Sequence, residues 1–225
     1  IENTPASIRA ESGANLGGIA RQAALQGLSG LEWATTIPGS VGGAVYGNAG
    51  AHGGDVNGHL MLAEILHQIT GWENWSCDRM QYGYRTSALK QQRQPAVILS
   101  ARFALTQSTP EKVQAQMDEF STYRRATQPP GASMGSMFKN PPGDYAGRLI
   151  ELAGLKGTQI GGAEISSRHA NFFVNHEEAT ALDIWKLIHH CQKAVMDKFG
   201  INLELEIELI GDWPETDDGM MRSTI

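Results

Sequence analysis

The sequence is short of cysteine, of positive charge, of long apolar runs and of the usual nucleotide-binding fingerprints, and each shortage removes a class of protein. Cys77 and Cys191 lie far apart, with no CxxC and no Cys/His ligand spacing, so neither a disulfide framework nor a zinc site is expected. Such cysteine use suits a reducing cytoplasm. The seven histidines offer no metal spacing either: His189 and His190 are adjacent, about 100° apart on a helix. We expect no metal. No stretch approaches the ~18 apolar residues of a spanning helix, and the longest, such as Ala96 to Leu99, are short and strand-like, so no membrane insertion is expected. Lys and Arg number 18 against 24 Asp and Glu, a net charge of −6, and the densest basic spot is the pair Arg124–Arg125. Polyanion binding needs clustered cations, so nucleic acid is not an expected partner. GxG occurs nowhere and the Walker pattern is absent, which removes the Rossmann dinucleotide cradle and the P-loop. The chain opens on Ile1 with no basic leader before an apolar core, and reads as an internal fragment of a longer product.

Glycine, by contrast, is abundant: 26 of 225 residues, against an average near ~7%. Thirteen fall in residues 1–58 and eight in 131–162, with only Gly71 and Gly83 between. Two glycine-rich segments are thus separated by ordinary globular sequence. With 41% hydrophobic residues the chain can bury one sizeable core or two modest ones.

Periodicity places the elements. Leu16, Ile19, Ala20, Ala23 and Ala24 follow helical spacing over residues 15–26, and Gly27 is a left-handed stop. Residues 30–55 have neither period and read as a loop with short helical turns. Residues 61–70, 74–78 and 96–106 read as strands of a mostly antiparallel sheet. Thr109–Pro110 opens a helix over 111–125, expected to begin a second domain. Residues 145–157 then read as a short helix and 170–175 as a strand. Thr180 with Asp183 forms a capping box for a long amphipathic helix that stops at Gly200. The clearest strand pattern is LELEIELI, with Leu203, Leu205, Ile207 and Leu209 on one face and Glu204, Glu206 and Glu208 on the other. The tail from Pro214 shows no period and is expected to be loose.

Several segments carry possible chemistry. Ile37 to Ala51 is built of small residues whose backbone N–H groups can approach an anion or a planar ring; a purely structural glycine turn explains the spacing equally well. GASMG (131–135) matches the GxSxG nucleophile pattern with Ser133 at its centre, but Pro129–Pro130 precede it, where that motif needs a strand. GSMFKNP (135–141) gathers a hydroxyl, a cation and an amide on a loop, suited to a phosphorylated or carboxylated ligand; alone it is better explained as a polar turn. Arg85 in YGYRTS offers a fork for carboxylate or phosphate, although a surface arginine with a packed stem accounts for it too. Glu206 is the central carboxylate of a row that otherwise reads as a solvated strand face.

Taken together, GLEWATTIPGSVGGAVYGNAGAHGGD, GYRTS, SMGSMFKNP, AGRLIELAGLKG, GGAEISSRHANFFVN and LELEIELIG, in this order over residues 12–211, closely resemble the UDP-N-acetylenolpyruvoylglucosamine reductase family, in its shorter second type. The resemblance implies an α+β chain: part of an FAD-binding domain of the vanillyl-alcohol-oxidase type, followed by an α+β substrate domain. The expected limits are 1–107 for the second lobe of the flavin domain, the first lobe being absent from this chain, 108–213 for the substrate domain, and 214–225 for a flexible tail. It further implies FAD and NADPH as cofactors, a UDP-sugar carrying an enolpyruvyl group as substrate, and a cytoplasmic place in peptidoglycan precursor synthesis. Matched position by position, Ser136 corresponds to the family's proton donor, Arg85 to its carboxylate-polarising arginine and Glu206 to the acidic partner. Pro38, Gly39, Gly42, Gly43, Asn48 and Gly50 match flavin-binding positions, and Tyr84 and Asn140 match substrate-binding ones. A catalytically incomplete fragment that binds a UDP-sugar without flavin is the alternative expectation. Nothing in the sequence sets the oligomeric state.

Overall fold

The computed structural model describes residues 6–92, 95–176 and 178–213; the tail expected at 214–225 lies outside them. The chain divides into two units, Ile1–Ala126 and Thr127–Ile225, each with its own core. Both mix helices with antiparallel sheet, so the fold class is α+β. Among the described residues no helix is long and apolar enough to cross a membrane.

In the first unit the strands Ser7–Glu11, Ala96–Ala104, Leu60–His67 and Gly71–Ser76 lie side by side in that order, all antiparallel. Alternation explains the sheet's two faces: Ala63, Ile65 and His67 are buried while Glu64 and Leu66 face outward. Outward does not mean unsupported, since Glu64 accepts hydrogen bonds from Arg9 (2.7 Å) and Ser100 (2.6 Å), which hold its carboxyl below the usual carboxylate range. The helix Leu16–Leu25 buries Leu16, Ile19, Ala20, Ala23 and Ala24, starts on the Asn15 side chain and is followed by Gly27 at φ +67°, the end that the sequence predicts.

The helix Pro110–Thr127 corrects the expected boundary at 107/108. Val113 and Met117 are buried in the first core and Phe120 packs against it, one face at i, i+4 and i+7. This helix therefore closes the first unit, and the division falls at 126/127.

The second unit holds the sheet Gln159–Ile160, Ala163–Ile165, Phe172–Asn175 and Ala132–Ser136, again antiparallel and in that order. The helices Ala146–Leu152 and Ala181–Phe199 contribute Leu149, Ile150, Leu187, Ile188, Cys191 and Val195 to its core. Burial pushes the Cys191 thiol up to about 12, so it stays protonated and acts as a small apolar group. The capping box is formed: Thr180 Oγ1 accepts from Asp183 N (3.2 Å) and Asp183 Oδ2 from Thr180 N (2.9 Å), with Gly200 left-handed at the far end.

Two expectations fail here. Among the described residues LELEIELI forms no strand, Leu205 alone bridging to Phe138; the alternation of burial survives in part, with Leu203 buried, Glu204 and Glu208 exposed and Glu206 intermediate. Extended alternation marks which side chains go inward, but a strand needs a continuous neighbour, and among the described residues this segment has one only at Met137–Lys139. Conversely, the start of GSMFKNP, expected on a loop, is strand. Ala132–Ser136 is a strand paired to Phe172–Asn175, so Ser133 is not on the strand-to-helix turn that a hydrolase nucleophile occupies.

Candidate active site

The matched residues fall into two groups, one per unit. In the first unit the glycine segment runs through a short helix, Val41–Gly47, and a hairpin, Gly50–Ala51 against Gly54–Asp55. Pro38, Gly39 and Gly43 are exposed; at Gly39, φ is +116° and a side chain would project into open space. Gly42 and Gly50 are glycine for another reason, close approach within the chain. The Gly42 amide donates to Ser12 O at 2.8 Å, and a Cβ on Gly50 would come within 2.7 Å of Asp55 Cβ. Asn48 is the buried member of the set matched to flavin-binding positions. It is 4% exposed and its side chain turns inward, to Gly83 O (3.0 Å), Asp55 Oδ2 (3.3 Å) and Asn57 N (2.9 Å).

Arg85 sits on a tight turn in which Gly83 and Thr86 bridge each other. Its own backbone is left-handed, φ +57°, its Nη2 donates to Gly50 O at 2.9 Å, and its guanidinium lies 5.3 Å from the Tyr84 ring centroid. Flanking side chains anchor the turn to the Val41–Gly47 helix: Tyr82 Oη donates to Val45 O (2.8 Å) and Ser87 Oγ to Tyr46 O (2.6 Å). Sequence reasoning missed Arg124, noted only as half of a basic pair. It is half-buried and bonded to Thr36 Oγ1 (3.4 Å), with no carboxylate against it among the described residues. Beside it His52 stacks on Phe120, centroids 4.3 Å apart, and meets Tyr123 edge-on. Burial first, and the Arg124 charge second, hold the His52 imidazole below its ordinary range. An under-compensated guanidinium and a hydroxyl three residues from an open glycine form a donor set suited to a diphosphate.

In the second unit Ser136 ends its strand opposite Phe172 and opens on a cavity of about 370 Å³. Asn140, Tyr145, Arg148, Arg168 and His169 share that cavity. Arg148 is held by Asp144, with Nε 2.7 Å from Oδ1, and Arg168 Nη1 donates to Gln128 O at 3.2 Å. Asn140 Oδ1 accepts from Ala146 N at 3.1 Å, fixing the start of the Ala146–Leu152 helix. Gly147, on that helix, lets it approach the imidazole, since a Cβ there would lie 3.2 Å from His169 Cε1. His169 Nδ1 accepts from Asn171 N (3.3 Å), and burial lowers its pKa. Lys139, the cation of GSMFKNP, is paired with Glu204.

Glu206 reaches the same neighbourhood through the backbone: its N–H donates to Met137 O at 2.9 Å, and Lys139 N donates to Glu204 O at 2.8 Å. The residue after Ser136 is thereby tied to the glutamate's own peptide. Asn171, 2% exposed, secures the other side, donating to Phe138 O (2.8 Å) and accepting from Phe138 N (2.9 Å). Arg148, Arg168, His169 and Asn171 were absent from the expected set; the signal for them was their place inside AGRLIELAGLKG and SSRHANF.

Comparison with known proteins agrees with this division. Residues 127–210 match the UDP-N-acetylenolpyruvoylglucosamine reductase C-terminal domain, and residues 1–70 match an FAD binding domain. A curated UDP-N-acetylenolpyruvoylglucosamine reductase of Chloroflexus aurantiacus is 46% identical over 208 residues, 91% of this chain and 70% of that protein. Its counterpart in Bacillus subtilis is 48% identical over 187 residues, 83% of this chain and 61% of that protein. The crystal structure of UDP-N-acetylenolpyruvylglucosamine reductase from Thermus caldophilus superposes with a TM-score of 0.80 at 36% identity, covering 92% of this chain and 73% of that one. The chain belongs to the UDP-N-acetylenolpyruvoylglucosamine reductase family of FAD-dependent oxidoreductases.

Proposed function

We propose that the chain carries out the reduction for which its family is named: the enolpyruvyl group of UDP-N-acetylglucosamine enolpyruvate becomes the lactyl ether of UDP-N-acetylmuramate, at the expense of NADPH. The observation that carries this reading is the second unit's cavity, where the Ser136 hydroxyl shares one lining with Asn140 and the cations Arg148 and Arg168. A hydroxyl donor beside cationic and amide groups suits an anionic sugar nucleotide. Residues 1–126 serve as the FAD-binding part and residues 127–213 as the UDP-sugar part. The exposed Pro38, Gly39 and Gly43 offer the cofactor a surface with little side-chain bulk, and Arg124 with Thr36 the donors for its diphosphate.

When bound, the flavin supplies to the enolpyruvyl double bond a hydride that it has taken from NADPH. The chain's own residues handle charge and protons. As one alkene carbon gains hydride, negative charge spreads onto the neighbouring carbon and the carboxylate. Arg85 opposes that charge, an interaction stronger in the transition state than in the ground state. Ser136 gives its hydroxyl proton to the carbanionic carbon and regains one from solvent; a hydroxyl is a weak acid, and only so basic a carbon would take its proton. Glu206, tied to Met137 beside the donor, polarises the substrate acid when protonated or orients a cation when ionised. Tyr84 and Asn140 complete substrate contact. The product is a cell-wall precursor, which places the chain in the cytoplasm and links it to cell shape and division.

A Ser136→Ala variant tests the assignment in stopped-flow. NADPH bleaches its flavin, whereas reoxidation by the enolpyruvyl sugar falls about 10²- to 10⁴-fold, the usual weight of a general acid. Unimpaired reoxidation removes Ser136 from the reaction. Calorimetric UDP-sugar binding without NADPH oxidation, in the presence of FAD, would instead identify a binding fragment.

A further inference from the structure

We propose that Asn48 is a positioning residue for the Arg85 guanidinium, acting from both ends of that side chain at once. This rests on the reading of Arg85 as the group that opposes substrate charge.

The geometry forms a closed circuit. From Asn48 Nδ2 one bond goes to Gly83 O (3.0 Å), two residues before Arg85, in the turn that sets the arginine backbone. The other goes to Asp55 Oδ2 (3.3 Å), and Asp55 is the register partner of Gly50. Gly50 O in turn receives Arg85 Nη2 at 2.9 Å. The root of the arginine and the carbonyl that fixes its tip are therefore both referred to one amide.

Two features mark this as more than loop packing. A buried polar side chain is costly unless all its groups are satisfied, and Asn48 meets that condition: both N–H bonds are used and Oδ1 accepts from Asn57 N at 2.9 Å. Arg85 has a left-handed backbone, φ +57°, which a long side chain adopts at a cost and keeps only when its surroundings over-determine it. Gly83 is the point through which Asn48 imposes that turn. With both N–H groups engaged inside the chain, Asn48 has none left for a cofactor.

The test is a double-mutant cycle on the rate at which the enolpyruvyl UDP-sugar reoxidises the reduced, FAD-loaded chain. Asn48→Gly is the clean deletion, because Asn48 is itself left-handed, φ 49°, and glycine keeps that backbone without strain. We expect it to slow reoxidation about 100-fold, the scale of a misplaced catalytic group, and to speed hydrogen exchange at the Gly83 and Thr86 amides. In an Arg85→Ala background the same change costs nothing further. A full 100-fold loss added to that of Arg85→Ala overturns the proposal, as does unchanged exchange at Gly83 and Thr86. If Arg85→Ala alone leaves the rate intact, the reading of Arg85 fails, while amide exchange still reports whether Asn48 holds the turn. Should Asn48→Gly not fold, Asn48→Asp keeps the oxygen that Asn57 meets, removes both N–H donors and is held to the same outcomes.

Discussion

Replacing Asn171 by alanine should loosen the strand end that carries Ser136 and destabilise the second unit, by an amount the structure lets us work out. Phe138 bridges to Leu205, but the ladder bonds on that side run from its neighbours, Met137 O to Glu206 N and Lys139 N to Glu204 O. Its own N–H and C=O point the other way, as they do at a non-hydrogen-bonded position of an antiparallel pair. There the Asn171 side chain stands where another strand would, accepting at 2.9 Å and donating at 2.8 Å. Asn171 and Phe138 are 2% and 1% exposed, so water does not replace the lost amide. Each orphaned group costs about 1–3 kcal/mol, giving about 4 kcal/mol for the two. That is a large fraction of the ~5–15 kcal/mol by which a typical domain is stable. Because the chain has two units, the measurement should report locally: hydrogen exchange of residues 127–213 across a urea series, read by mass spectrometry. Peptides spanning Met137–Lys139 should lose protection first. A global loss below about 1 kcal/mol, with unchanged exchange at Phe138, would refute the claim that Asn171 substitutes for a missing strand.

Two further outcomes follow from the charges. Burial lowers the His169 pKa from its ordinary 6.5, so the unfolded chain binds that proton more readily. The resulting stability is fully present above about pH 6.5 and is lost as pH falls through the folded value. NMR titration should place the imidazole below 6.5, and His169→Gln should flatten the acid limb of the second unit's stability; a titration at or above that value contradicts this. Arg124→Gln should weaken FAD binding about tenfold to a hundredfold, the weight of one charge-assisted bond, measured by flavin fluorescence. Unchanged affinity would remove Arg124 from the diphosphate donors.

Legibility in the sequence followed the range of the interaction. The Thr180–Asp183 box and the Gly27 and Gly200 stops were readable because capping is settled within four or five residues. The Pro110–Thr127 helix was readable as a helix but not as a member of the first unit: an apolar stripe says that a face is buried, not against what. LELEIELI shows the same limit for sheets: its inward and outward alternation is kept in part, while among the described residues it makes one bridge. The strand Ser7–Glu11 was missed because SIRAE buries only Ala10. At the site, family motifs supplied Ser136 and Asn140, which do share a cavity. They did not show that Asn48 faces inward or that Arg124 lacks a carboxylate partner among the described residues, since both depend on packing between segments distant in sequence.

The most direct test of the account is the visible spectrum of the 225-residue chain mixed with FAD, then with NADPH, then with the enolpyruvyl UDP-sugar. The account predicts a bound flavin band that NADPH bleaches and the sugar restores. A flavin that is not retained, or one that stays bleached when the sugar is added, would contradict it.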